Sequence, residues 1–189
     1  MSKTLLIIVS GPPASGKTTL GKIIAKEFRL AFLNKDSIKE SLFDILGIKD
    51  REWSKKVGSA SYSILYRFME TLLVANQSLV VDSNFRPEFD TKKFLDLKQK
   101  YTFITIQIMC KADGEILFER FKKRVESGER HPGHVDHNNY EEFKKGSLSQ
   151  GEEESLVIGG KVFDVDTTDF ESIDYDSIFS TIKSATNST

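Results

Sequence analysis

Residues 11–19 carry the first chemistry. Gly11, Pro12, Pro13, Ala14, Ser15, Gly16, Lys17, Thr18 and Thr19 fit the pattern G-x-x-x-x-G-K-[ST]. Glycines at these positions let backbone N–H groups turn inward around phosphate oxygens, and the helix that follows adds its positive end. Lys17 has the reach for the outer phosphates of a nucleotide. The Thr18 hydroxyl is suited to hold Mg²⁺. The motif has this meaning only between a strand and a helix. Leu5–Ser10 reads as a buried strand and Lys17–Leu30 as a helix with Leu20, Ile23, Ile24 and Phe28 on one face.

Three further segments bear on what such a phosphate site would do. Asn34-Lys35-Asp36-Ser37 closes a short strand, Ala31–Asn34. It resembles the guanine-reading N-K-x-D only in part, because the fourth residue is Ser and the segment lies too early in the chain. Ligands bind beyond the carboxyl ends of parallel strands, so Asp36 is placed to face a γ-phosphate and act as a base. Asp36 or Ser37 would equally suit the cap of the next helix. The second segment, Val80-Val81-Asp82-Ser83-Asn84, ends an apolar strand on an acid, the Walker-B pattern of a Mg²⁺-binding carboxylate. The third, Glu119–Arg124, sets Arg120 and Arg124 at i, i+4 on one helical face, with Arg130 beyond. Guanidinium planes suit base stacking and bidentate phosphate contact. Asn84, Arg86 and Arg130, with Asp36 and Lys39, are the candidate acceptor contacts.

His131, His134 and His137 fall within a Pro/Gly loop with Asp136 between them. Three histidines could suggest zinc, but no cysteine lies near and the loop is no rigid frame. They read instead as polar loop residues touching substrate. Trp53 and the single cysteine, Cys110, read as packing residues.

These residues need a frame, and the rest of the chain supplies one. Short β-branched runs alternate with longer helical stripes: helices over Ser37–Leu46, Trp53–Asn76, Phe89–Lys100, Asp113–Ser127 and Tyr175–Ser184, and strands over Ser78–Asp82, Thr102–Met109 and Lys161–Asp166. Apolar strands alternating with helices predict a parallel sheet covered on both faces, a three-layer α/β/α sandwich. With 189 residues the expectation is a single domain, 1–189. Residues 113–139 should form an Arg-bearing lid that moves, since between Gly128 and Asn139 only Val135 and Pro132 are apolar. The tail, 185–189, should fray.

Hydrophobic residues at 39% and charged residues at 29% exclude a disordered chain, and a net charge of −1 excludes nucleic-acid binding by bulk charge. The longest apolar run, Leu5–Val9, is far short of the ~20 residues of a membrane helix. One cysteine and no signal-peptide pattern lead to the expectation of a cytoplasmic protein.

On GPPASGKTT, NKDSIK, WSKKVGSASY, VVDSNF, ERFKKR with ERHPGH, and FDVDTT, the chain resembles the small P-loop kinases. That group includes the polynucleotide-kinase, gluconate-kinase, zeta-toxin and chloramphenicol-phosphotransferase types and, more distantly, adenylate kinase. The likeness runs over nearly the whole chain. It implies a five-stranded parallel sheet in the order 2-3-1-4-5, with ATP and Mg²⁺ as cofactors. It also implies that Asp36 takes the acceptor's hydroxyl proton. Lys39 would stand where the group often has Arg, offering a point charge instead of a fork. Arg120 would lie against adenine, Arg124 would reach the phosphates, and Asp166-Thr167-Thr168 would form the other wall of the adenine site.

The expected activity is transfer of the γ-phosphoryl group of ATP to a hydroxyl of a small molecule. Lys17, Asp36 and Arg124 would be catalytic, with Thr18 and Asp82 at the metal. A nucleic-acid 5′-hydroxyl end is the alternative acceptor. A different class of reading is a non-kinase ATP-binding regulator or NTPase switch. Such a switch would need a residue to orient water and a segment that senses the γ-phosphate, and neither is evident.

Overall fold

The computed structural model describes residues 3–135 and 154–187. Five strands form one all-parallel sheet: β1 (Leu5–Ser10), β2 (Ala31–Asn34), β3 (Leu79–Asp82), β4 (Ile104–Lys111) and β5 (Lys161–Asp166). Their order is β2-β3-β1-β4-β5, as the kinase resemblance implies. The helices are α1 (Lys17–Phe28), α2 (Lys35–Leu46), α3 (Arg51–Val74), α4 (Pro87–Lys100), α5 (Gly114–Glu126) and α6 (Tyr175–Asn187).

Successive residues of a strand point to opposite faces, and β1 splits its side chains accordingly. Leu5, Ile7 and Val9 pack with α1, α6 and Ile106, Ile108 and Cys110 of β4. Leu6 and Ile8 pack with Leu65, Met69 and Leu73 of α3 and with Phe94 and Leu97 of α4. This gives the three layers expected, with Cys110 in the core.

The outer strand β5 departs from the buried, apolar type. Lys161, Val162, Asp164 and Asp166 are exposed and only Val165 is buried, as fits an edge strand with one neighbour. The last helix continues to Asn187, past the Ser184 boundary expected. Residue 137 and the remainder of the expected lid, 136–139, lie outside the described residues.

The start of α2 matters most for function. Asn34 is its N-cap, with its Oδ1 accepting from the Ser37 backbone N–H at 2.7 Å. Neither Asp36 nor Ser37 caps this helix. Asp36 sits inside the first turn, so its carboxylate is left to face the carboxyl end of the sheet.

The expectation that the loop beyond α5 lacks an anchor also needs correction for its described part, 128–135. The loop brings little apolar surface of its own, but it docks on α2. Gly133 lies against the buried Phe43 ring so closely that a Cβ there would stand 2.3 Å from Phe43 Cδ2. His131 stacks on Phe43 at 5.5 Å and His134 meets it edge-on at 6.0 Å. Three acids one turn apart on α2 receive this segment. Asp36 pairs with Arg130 (2.9 Å), Glu40 with His134 (3.0 Å) and Asp44 with His131 (3.2 Å).

Candidate phosphoryl-transfer site

Parallel pairing aligns Val9 with Asp82 and Asp82 with Asn34, so the ends of β1, β3 and β2 open on the same side of the sheet. There the 11–16 loop turns into α1. Gly16 takes φ 79° and Ala14 φ 65°, left-handed values that re-aim successive backbone N–H groups. Gly16 is fixed twice over, because a Cβ would fall 1.9 Å from the Phe170 ring. Thr167, wholly buried, supports the loop from beneath, with its Oγ1 2.7 Å from the Ser15 carbonyl and 2.9 Å from that of Lys111.

A cleft of about 240 Å³ opens beside this loop. Lys17, Thr18, Asp36, Lys39, Asp82 and Asn84 line it, together with Arg124 and Arg130. With Pro13 of the loop, the structure thus brings nine of the expected site residues to one place. Lys17 Nζ bends back to the Pro12 carbonyl at 3.2 Å. Lys39 is buried and donates to Ser54 Oγ at 2.9 Å.

Other expected residues lie elsewhere. Arg86 is exposed at the start of α4 and does not line the cleft. The Arg120 guanidinium lies 4.8 Å over the Phe170 ring and donates to the Thr167 and Thr168 carbonyls, both at 2.8 Å. It ties α5 to the loop after β5, while Thr167 faces inward. A larger cavity, about 720 Å³ between α3 and α4, shares only Tyr62 with this cleft.

Asp82 tests whether a divalent cation fits. It is 1% exposed. One oxygen, Oδ2, accepts from Thr18 Oγ1 at 2.5 Å and from Asn34 Nδ2 at 2.6 Å. The other, Oδ1, is buried with no hydrogen-bond partner. Burial pushes the carboxyl up, against the pull of Lys17, Thr18 and Asn34. A buried carboxylate oxygen without a partner, beside a hydroxyl, is a donor set that suits a hard cation such as Mg²⁺. Thr18 and Asp82 would hold it.

Asp36 has a different environment. Lys35 Nζ lies 3.0 Å from its Oδ1 and Arg130 2.9 Å from its Oδ2. Burial works to raise this carboxyl, but Lys35, Arg130 and His134 more than offset it and hold it well below the usual carboxylate range. Arg130 also donates to His134 Nδ1 at 3.1 Å. Arginine can only donate, so Nδ1 is the acceptor, and the proton on Nε2 points at Glu40.

Sequence reasoning missed Asn34, Lys35, Tyr62 and Ser83 as parts of the cleft wall, whereas His134, expected among the polar loop residues, does line it. Tyr62 accepts from Ser83 Oγ and donates to the Asn84 carbonyl, both at 2.9 Å, and burial pushes its phenol up to about 12. Its signal lay in the α3 stripe, where an aromatic reads as core. Among the described residues no cluster of three or more His, Cys, Asp or Glu side chains is arranged to hold a metal, and His131 and His134 are each engaged with α2. No described helix is long and apolar enough to cross a membrane.

Comparison with known proteins gives the family and the fold. Residues 6–146 match the family described as AAA domain. A solved structure from Chloroflexus aurantiacus J-10-fl, described as a "putative kinase", is 42% identical, covers 97% of this chain and 98% of its own, and superposes with a TM-score of 0.92. A gluconokinase from Sinorhizobium meliloti 1021 shares the fold at 15% identity and a TM-score of 0.56, over 99% of this chain and 97% of its own. Cytidylate kinase of Sulfurisphaera tokodaii is 36% identical over 52 residues, 28% of this chain and 29% of that protein. The chain belongs to this AAA-domain family and is a kinase-like P-loop domain.

Proposed function

We propose that the protein transfers the γ-phosphoryl group of ATP to a hydroxyl of a small molecule. The observation that carries this reading is the pairing of two unlike carboxylates across one cleft. Asp82 is buried, with Thr18 and Asn34 bonded to one oxygen and the other left without a partner, while both oxygens of Asp36 are engaged by the cations Lys35 and Arg130. A metal carboxylate and a hydroxyl-orienting carboxylate are the two acids that phosphoryl transfer to an alcohol needs. An NTPase switch would need, besides a group to orient water, a segment that senses the γ-phosphate.

The 11–19 backbone would cradle the phosphates. Lys17 would leave the Pro12 carbonyl for the outer phosphates, and Arg124, across the cleft, would offset charge on the group in transit. Mg²⁺, when bound, neutralises charge on the β- and γ-phosphates. Asp36 would hold the acceptor hydroxyl in line. Its proton passes to Asp36, its oxygen forms the new bond to the γ-phosphorus, and the bond to the β–γ bridging oxygen breaks to leave ADP. Positioning and fixed charge account for most of the rate in such reactions.

The test is transfer of label from γ-labelled ATP across sugars, sugar acids, nucleosides, nucleotides and 5′-hydroxyl oligonucleotides. Label in a small acceptor supports the reading. Label confined to oligonucleotides replaces it with the polynucleotide alternative. Hydrolysis alone, unchanged by every acceptor, points to the switch class.

A further inference from the structure

Asp36 is obstructed by its own fold. Both oxygens are engaged, one by Lys35 and the other by Arg130, whose side chain is only 16% exposed. Arg130 is held in turn. It donates to His134, His134 bonds Glu40, and Gly133 is seated on Phe43. The guanidinium is thus delivered to the carboxylate by a docked segment of defined geometry, not by a wandering side chain.

A carboxylate clasped by two cations is a weak base. Before Asp36 can take a proton from an acceptor, one clasp must loosen. Lys35 is its chain neighbour on the same helical turn, whereas Arg130 arrives from a different element. A neutral acceptor offers a half-buried guanidinium nothing in exchange for the carboxylate it gives up. An acceptor bringing its own carboxylate or phosphate does, in the bidentate geometry that the planar fork of arginine matches. The surrounding charge favours the same class. Five Lys and Arg side chains line the cleft against two carboxylates, with Glu40 behind His134. In the kinase reading Lys17 and Arg124 serve the nucleotide phosphates, which leaves Lys35, Lys39 and Arg130 for the acceptor. The cleft volume of about 240 Å³ suits a small acceptor.

We infer that the acceptor carries an anionic group, a carboxylate or a phosphate, near its reacting hydroxyl, and that Arg130 passes from Asp36 to that group when the acceptor binds. The acceptor thereby releases the base that acts on it. This rests on the kinase reading above and narrows its substrate class.

The experiment uses the full chain, γ-labelled ATP and matched acceptors. The sets are glycerol, glycerate and glycerol 3-phosphate; glucose, gluconate and glucose 6-phosphate; and cytidine with cytidine 5′-monophosphate. A 5′-hydroxyl oligonucleotide is added as a separate arm. In at least one set the anionic member should exceed its neutral parent in kcat/KM by roughly 10–100-fold, the scale of a charged hydrogen bond. Whether the carboxylate or the phosphate member leads identifies the anion. Arg130→Gln should collapse that preference, mainly through KM, and Arg130→Lys should restore part of it; a merely structural arginine would lower both acceptors alike. Neutral parents equal to or better than their anions in every set would overturn the inference and leave the kinase reading standing. So would a preference that survives in Arg130→Gln, or an oligonucleotide preferred to every small anion. No transfer to any acceptor by protein that binds ATP would overturn the kinase reading and this inference with it.

Discussion

Asn34 Nδ2 donates to Asp82 Oδ2 at 2.6 Å while the other end of the same amide, Oδ1, caps α2 through Ser37. One side chain therefore joins the carboxylate suited to the metal to the helix that carries Asp36 two residues later. The spacing between the Asp82 and Asp36 carboxylates is set by an amide a few ångströms long, anchored on adjacent parallel strands.

The two ends of Asn34 can be separated by mutation. Asn34→Ser keeps an oxygen for the cap, where Ser and Asn are nearly equivalent, but removes the donor to Asp82. Stability should change by only a few tenths of a kcal/mol, while the Mg²⁺ concentration for half-maximal activity should rise about 10-fold, as for other residues that orient a metal ligand. A Mg²⁺ titration at saturating ATP measures it. An unchanged midpoint would mean that Thr18 alone orients Asp82.

For Asp36→Asn two losses should differ in size. Turnover should fall by about 10²–10⁴, the usual scale for a missing general base. Stability should also fall, because Arg130 loses its ionic partner. Asp36 is 36% exposed, so the cost lies between that of surface and buried pairs, about 1–2 kcal/mol. Paired measurements of unfolding and of turnover per folded molecule distinguish them. Normal turnover in the folded fraction would make Asp36 purely structural.

How legible all this was in the sequence depends on how local each feature is. The 11–19 loop, Asp82 and the strand ends could be read because motif and element are contiguous. The strand order came through the kinase resemblance; periodicity cannot rank parallel strands. Asn34 escaped because its second role depends on the strand beside it. The docked loop escaped for a similar reason. It was judged by its own apolar content, but its anchor is Phe43 on another element, reached only because residue 133 is glycine. A signal was present in the acids at 36, 40 and 44, which share a helical face and await basic partners.

Gly16 and Phe170 offer a test of the nucleotide loop. Gly16→Ala meets the Phe170 ring and also forces a side chain into φ 79°. The steric part should cost about 1–3 kcal/mol and the backbone part roughly 1–2 kcal/mol. Adding Phe170→Ala removes only the first, so the double variant should recover part of the stability and no more. Thermal unfolding of the two singles and the double gives the coupling. Strict additivity would show that the ring yields freely.

The acid side of the stability profile should carry the signature of His134. It is buried against Phe43 of α2, with Glu40 at Nε2, Arg130 at Nδ1, and Asp36 and Lys39 nearby. Burial lowers its pKa first, Glu40 pulls it back, and the net direction is below the ordinary 6.5. A base with a lowered folded pKa takes its proton more readily when unfolded. Its contribution is therefore complete above about pH 6.5 and is lost as pH falls toward the folded value, at about 1.4 kcal/mol for each unit of lowering. Glu40, held low mainly by its bond to His134, and Asp36 lose their contributions only at lower pH, below the ordinary carboxylate values of 4.5 and 3.8. Denaturant unfolding between pH 8 and 3 should show stability falling below about pH 6.5. His134→Gln, which keeps a donor for Glu40 and an acceptor for Arg130, should flatten that fall and leave the steeper loss below pH 4.5 in place. An identical slope in the variant would mean that His134 titrates alike in the folded and unfolded chain, and a steeper fall in the variant would mean that it is protonated in the fold and that its Nδ1 does not accept from Arg130.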